Sequence, residues 1–292
     1  MYGNLSELLA LAVQRGSALW PVVLDNEIRL SGLSEEEIFS ELERHYQVMT
    51  ASATKALERP MPTALGLISG ITAPQYRYSQ QSGGLCGQTL NRAMAFALSC
   101  SEVNASMGKI CAAPTAGACG ILPAVLMTLE QSLQLDRHQV LCGLLTASGV
   151  GAVIMKNATV AGAEGGCQAE CGVAAAMAAA AAVEMAGGSP SQALDAVSFA
   201  LMNSMGLVCD PIAGLVQVPC AQRNASQTAN ALLSADLALA GMKSPIPADQ
   251  TVDAMYRVGR QLPSELRETA MGGIAVTEAG REFARRLRDE QD

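Results

Sequence analysis

Apolar positions along this chain recur mostly at intervals of three and four. Ile38, Leu42, Tyr46, Met49, Ala53 and Ala56 step in this way, which turns one stripe of a helix toward a core. Just before them, Ser34-Glu35-Glu36-Glu37 forms a capping box, whose hydroxyl and carboxylate satisfy free N–H groups at a helix start. A helix is expected over 34–57, ended by Pro60 and Pro62. The pattern returns near Gly87 with Leu90, Met94, Ala97 and Leu98, and breaks at 114–120 (Pro-Thr-Ala-Gly-Ala-Cys-Gly). It resumes at Ile121 and again from Asp136. Ser189-Pro190-Ser191-Gln192 caps a further helix, and others are expected over 224–240, 248–261 and 277–288.

Two segments are apolar all round. Residues 173–186 are nearly all alanine, which has the highest helix propensity and lets neighbouring helices come close, so a buried central helix is expected. The run 140–155 is rich in Gly, Ala, Ser and Thr; it is shorter than the ~20 residues that cross a bilayer and suits a packed core helix. Only 20–30 contains a strand-like piece. The expected fold class is therefore all-α: one compact multi-helix domain over 1–292, with a buried Ala-rich central helix and Gly-rich loops. The Gly/Ser-bearing segment 66–84 reads as a loop and separates an N-terminal helical segment, 1–60, from a helical core, 84–292.

Composition narrows the function. Half of the residues are hydrophobic, enough for a substantial core, and the net charge is −8. Basic residues cluster only at Arg281, Arg285, Arg286 and Arg288, interleaved with acids, so nucleic acid is not an expected partner. The apolar run 8–13 follows Glu7 with no Lys or Arg upstream, the wrong charge order for a secretory signal, and a cytoplasmic location is expected. No membrane partner is expected either.

In that compartment nine cysteines stay thiols and act as packing residues, nucleophiles or metal ligands. Cys100 and Cys142 lie in apolar helical patterns and read as small core residues. Cys86, Cys111 and Cys119 stand beside glycines or the Pro114 loop, where a thiol can be exposed, but without a close pair. Cys167 and Cys171 are spaced to share a helix face, although Cys171 also reads as the opening of the Ala helix. Cys167 lies within a segment dense in glycine (Gly162, Gly165, Gly166, Gly172). Cys209 precedes Asp210-Pro211 and Cys220 follows Pro219, both at helix breaks where a thiolate can leave the backbone. By residue type and context, Cys167, Cys209 and Cys220 form a candidate soft-metal site.

The segments Asn104-Ala105-Ser106-Met107-Gly108, Cys111-Ala112-Ala113-Pro114-Thr115-Ala116-Gly117, Gly165-Gly166-Cys167-Gln168-Ala169-Glu170, Gly206-Leu207-Val208-Cys209-Asp210-Pro211 and Val218-Pro219-Cys220 resemble the α chain of bacterial iron–sulfur L-serine dehydratases, over nearly the whole chain. The resemblance implies that Cys167, Cys209 and Cys220 hold a [4Fe–4S] cluster, that L-serine is converted to pyruvate and ammonia, and that the fold is helical. It also implies a partner β chain. In single-chain relatives a second domain carries a histidine motif implicated in catalysis, and His45 and His138 have no such context, so both are expected at the surface. The base that removes the α-proton is accordingly expected from the β chain, and none is assigned here.

The loop of Thr115, Ala116 and Gly117, entering a helix, offers N–H groups and a hydroxyl for the substrate carboxylate. Asn104, Lys109, Lys156 and Asn157 are polar groups beside glycine-bearing segments and are given no catalytic role. Three rivals stand beside this reading. A pyridoxal-phosphate lyase would need Lys156 as its Schiff-base lysine and leaves the cysteines unexplained. A cysteine desulfidase would keep the cluster and change the leaving group. A non-catalytic iron–sulfur subunit would serve redox sensing or assembly.

Overall fold

The computed structural model describes residues 1–81 and 84–290. Among these there are thirteen α-helices and no strand beyond an isolated bridge between Cys209 and Arg267. The helices are α1 (Leu5–Arg15), α2 (Trp20–Ser31), α3 (Glu35–Lys55), α4 (Thr72–Ser79), α5 (Gly87–Ala105), α6 (Ile121–Leu133) and α7 (Arg137–Asn157). They continue with α8 (Gly162–Gly165), α9 (Val173–Met185), α10 (Pro190–Ser204), α11 (Cys220–Leu239), α12 (Ala248–Gln261) and α13 (Glu278–Asp289).

Helix α9 is the axis of the fold. All of its alanines are buried, and α6, α7, α10 and α11 pack around it. A methyl-only surface lets four helices approach one another here without large side chains between them. Leucine, isoleucine and valine fill the next shell, with Leu122, Leu126, Leu145, Ile154 and Leu201 almost fully buried. One continuous core cluster runs from Leu5 to Met255, so the N-terminal helices share it.

Local signals set many boundaries. Capping boxes at Ser34/Glu37, Asp136/Gln139 and Ser189/Gln192 start α3, α7 and α10. The Ala-rich helix and α12 lie where the apolar pattern places them, and α11 starts four residues earlier than expected, at Cys220.

Two expectations are corrected. Residues 20–30 form helix α2 rather than a strand: Pro21 occupies its first turn, and the Glu184 carboxylate accepts from Leu19 N at 2.8 Å, capping the helix from across the core. The segment 66–84 is not all loop, because it contains α4. Fully buried Glu102 accepts from Thr72 N and Thr72 Oγ1 at 3.2 and 2.8 Å, and so supplies that helix with a start signal thirty residues away in sequence. The end of that expected loop includes Ser82 and Gly83, and the C-terminal tail includes Gln291 and Asp292; these four lie outside the described residues.

Arg137–Asn157 and the run Ala116–Leu133 are long and apolar enough to cross a bilayer by length and composition, and 72% and 61% of the two windows is buried within the fold. Cys100 and Cys142 are buried as expected, but so is Cys119, whose thiol donates to the Cys100 carbonyl. His45 and His138 are exposed, the latter with its ring against Trp20 and Phe39.

Candidate metal centre and active site

Cys167 opens a turn of π-helix, Gln168–Gly172, between α8 and α9. Such turns insert an extra residue into a helix and re-aim side chains. Before it, Gly166 has φ +76°, and a Cβ there would stand 2.8 Å from Leu207 O. Only glycine lets this loop lie against the segment that leads to Cys209. Fully buried Gln168 then joins the two: its N–H donates to Leu207 O at 3.0 Å, its Oε1 accepts from Gly206 N at 2.8 Å, and its Nε2 donates to Gly165 O at 2.9 Å.

Cys209 is held from the other side. Its N–H donates to Leu266 O at 2.8 Å and its carbonyl accepts from Glu268 N at 2.7 Å, pinning the 264–268 segment beside it. As a result Cys167, Cys209 and the Glu170 carboxylate bring ligand atoms within 4.8 Å of one another. Cys220, the first residue of α11, follows the cis Val218–Pro219 bond and lies outside that tight group. It is near enough that negative charge on Cys167 and Glu170 adds to burial in raising its thiol to about 12.

Arg223, one turn into α11, links the three cysteine segments. Its Nη1 donates to Cys167 Sγ at 3.3 Å and to Val208 O at 2.7 Å, and its Nη2 pairs with Asp210 at 2.8 Å. The thiols of Cys171 and Cys209 and the guanidinium together hold Cys167 far below the usual thiol range. Cys171 and Cys209 are raised as its hydrogen-bond donors. The direction of that shift favours the thiolate, the state in which cysteine binds soft metals. Cys171 is buried directly behind Cys167 rather than serving only to open the Ala helix.

The Pro114 loop stands on this centre. Thr115 Oγ1 donates to Glu170 Oε1 at 2.9 Å, and Asn224 Nδ2 donates to Gly117 O at 2.7 Å and to Cys220 O at 2.9 Å. Asn224 Oδ1 accepts from Gly120 N at 2.8 Å, and Asn104 Nδ2 donates to Ala116 O at 3.1 Å. The Thr115 hydroxyl is therefore engaged by Glu170 rather than free. Burial first, then the negative Cys167, pushes Glu170 up to about 7. Lys156 and Asn157 lie at the N-terminal segment instead: Asn157 Nδ2 donates to Gly3 O at 2.8 Å, and Lys156 Nζ lies 3.6 Å from where a Gly3 Cβ would stand.

Sequence reading names Cys167, Cys209, Cys220 and the Thr115 loop, and gives no role to Glu170, Arg223, Asn224, Gln168 and Asp210, which the fold sets beside them. The available signal was position: Glu170 is three residues after Cys167, Asp210 follows Cys209, and Arg223 is three residues after Cys220. Charged residues so close to cysteines in an apolar chain are there at a desolvation cost.

The family model described as serine dehydratase alpha chain matches residues 14–275. The L-serine dehydratase alpha chain of Peptoniphilus asaccharolyticus is 49% identical over 292 residues, covering all of both chains. The probable L-serine dehydratase alpha chain of Bacillus subtilis (strain 168) is 42% identical over 98% of this chain and 95% of its own length. L-serine dehydratase TdcG of Escherichia coli (strain K12) is 34% identical over 94% of this chain, which spans 62% of that longer protein.

Proposed function

Since this chain belongs to the serine dehydratase α-chain family, we propose that it is the α subunit of an iron–sulfur L-serine ammonia-lyase, releasing pyruvate and ammonia from L-serine together with a β chain. The carrying observation is the junction of three distant cysteine segments through Arg223, with Cys167 and Cys209 already side by side. The donor set fits the cofactor: soft cysteine sulfurs in a buried corner, one of them accepting from a guanidinium. Cys167, Cys209 and Cys220 would hold a [4Fe–4S] cluster.

Bound by three thiolates, such a cluster supplies Lewis-acid chemistry toward an oxygen, here the hydroxyl that must leave. The chain's own groups supply position. The Thr115–Gly117 turn, fixed by Asn104 and Asn224, presents its first N–H groups to the substrate carboxylate. Gln168 and Arg223 keep the cysteine loops in register, and the surrounding apolar helices limit access of water. Elimination of water gives an enamine, which hydrolyses to pyruvate and ammonia. The β chain supplies the base for the α-proton. All nine cysteines are free, in keeping with a reducing cytoplasm as the site of action.

Anaerobic pyruvate release by the cluster-loaded chain, with and without its β chain, tests the reading. Turnover is expected only from the complex. Turnover by the α chain alone would remove the β-chain base, and a loaded complex inert toward serine would overturn the function.

A further inference from the structure

We infer that Glu170 anchors the α-ammonium of the substrate, an assignment that rests on the serine dehydratase reading above. The residue is only 8% exposed, and a buried carboxylate is costly unless a cation or several donors compensate it. Glu170 has one donor: Thr115 holds Oε1, and Oε2 accepts no hydrogen bond from the described residues. No lysine, arginine or histidine among them forms an ion pair with it. Arg223, the cation of this corner, is committed to Cys167, Val208 and Asp210.

The surroundings add negative charge rather than relieve it. Cys167 lies on one side. On the other, a Cβ at Gly162 would stand 2.7 Å from Glu170 Oε2 and 3.2 Å from Glu268 Oε2, so two carboxylates converge on the bare face of one glycine. Two carboxylates that converge without an ion-pair partner for either among the described residues are completed by a cationic ligand.

Zwitterionic serine brings one such group, and its geometry fits. Ammonium and carboxylate sit on the same carbon, so their two anchors must be neighbours. The 2.9 Å bond from Thr115 to Glu170 places the carboxylate-binding turn directly beside this carboxylate. Glu170 is also within 4.8 Å of the Cys167 and Cys209 sulfurs, so an ammonium held there leaves the β-hydroxyl on the cluster side.

The test compares L-serine with 3-hydroxypropanoate, which keeps the hydroxyl and carboxylate and lacks the ammonium, on the cluster-loaded α/β complex and its Glu170→Gln variant. Binding is read from KM, from the inhibition constant and from the ligand-induced change in the cluster's visible absorption. Glu170→Gln should raise the serine KM by about 10- to 100-fold, the effect of losing a charge-assisted bond. It should lower kcat by no more than about 10-fold and leave 3-hydroxypropanoate binding within about threefold, since an uncharged side chain costs that ligand no ionic contact. Glu170→Asp should retain part of the preference for serine, and Glu268→Gln should weaken it less than Glu170→Gln.

An unchanged serine KM would overturn the assignment. So would a kcat loss of about 1000-fold at constant KM, which would make Glu170 the acceptor of the α-proton. Loss of iron from Glu170→Gln, or equal damage by Glu170→Asp, would make it a cluster ligand or a structural group. A wild-type complex that released no pyruvate from serine would instead defeat the underlying reading.

Discussion

Arg223 Nη1 lies 3.3 Å from Cys167 Sγ, and the same guanidinium pairs with Asp210 beside Cys209. Both partners are largely buried, with side-chain exposures of 14% and 4%. Breaking such a pair from one side strands the other charge, at a cost of about 3–5 kcal/mol. Arg223→Ala should therefore destabilise the metal-free chain by that order in urea unfolding and reduce iron uptake at the same time. Asp210→Asn should cost less, because the one amide oxygen can still accept from Arg223 Nη2, while the Ile274 N–H, which uses the other carboxylate oxygen, loses its acceptor. Iron uptake at the wild-type level in Arg223→Ala would separate the guanidinium from the centre.

Glu102 organises a segment rather than a reaction. Fully buried on α5, it accepts from Met61 N at 2.7 Å, Gly70 N at 2.8 Å and both donors of Thr72. Glu102→Ala leaves three amides without acceptors, and each buried orphan costs about 1–3 kcal/mol. Hydrogen exchange should show lost protection concentrated over residues 61–72, with α9 unaffected. Uniform loss across the chain would mean that the segment and the core unfold together.

Glu184 makes stability depend on pH. Burial against α2 and α7 raises its carboxyl above the ordinary value of 4.5, despite donors from Leu19 N and Thr146 Oγ1. A raised carboxyl binds a proton more tightly in the folded chain than in the unfolded one. Its contribution is therefore most favourable at low pH and is lost as pH rises from about 4.5 through the raised value. Glu184→Gln keeps an oxygen acceptor for Leu19 and removes the titration. The melting temperature of the variant relative to wild type should climb between pH 4 and pH 8. A flat difference would show that the group titrates normally.

Cys171 separates proximity from ligation. It is buried, and the neighbouring Cys167 raises its thiol, yet it falls outside the matched cysteine motifs. Cys171→Ala should retain the full iron and sulfide content after anaerobic reconstitution, with at most a small change in cluster absorption. Loss of iron comparable to that in Cys167→Ala would add a fourth thiolate to the centre.

How much of this was legible in the chain depends on how far each signal travels. Helices α3, α7 and α10 were readable because their caps, Ser34, Asp136 and Ser189, bond to residues three positions on. Helices α2 and α4 were not, because their N-terminal groups are satisfied by Glu184 and Glu102, acids that a sequence window sees only as polar residues in apolar helices. The same holds at the site. The cysteines could be named from residue type, loop context and resemblance. Arg223 and Gln168 act across long sequence separations, and nothing local distinguishes their side chains from solvated ones. The pairing of Thr115 with Glu170, fifty-five positions apart, is likewise a product of the fold.

The central claim is that Cys167, Cys209 and Cys220 together hold one cluster, and the most direct measurement is the iron and sulfide content of single Cys→Ala variants after anaerobic reconstitution. Cys167→Ala, Cys209→Ala and Cys220→Ala should each lose the cluster, while Cys100→Ala, Cys119→Ala and Cys142→Ala keep it. Cys220 is the critical case, since it stands apart from the other two here. A Cys220→Ala variant with full iron and sulfide would contradict the claim.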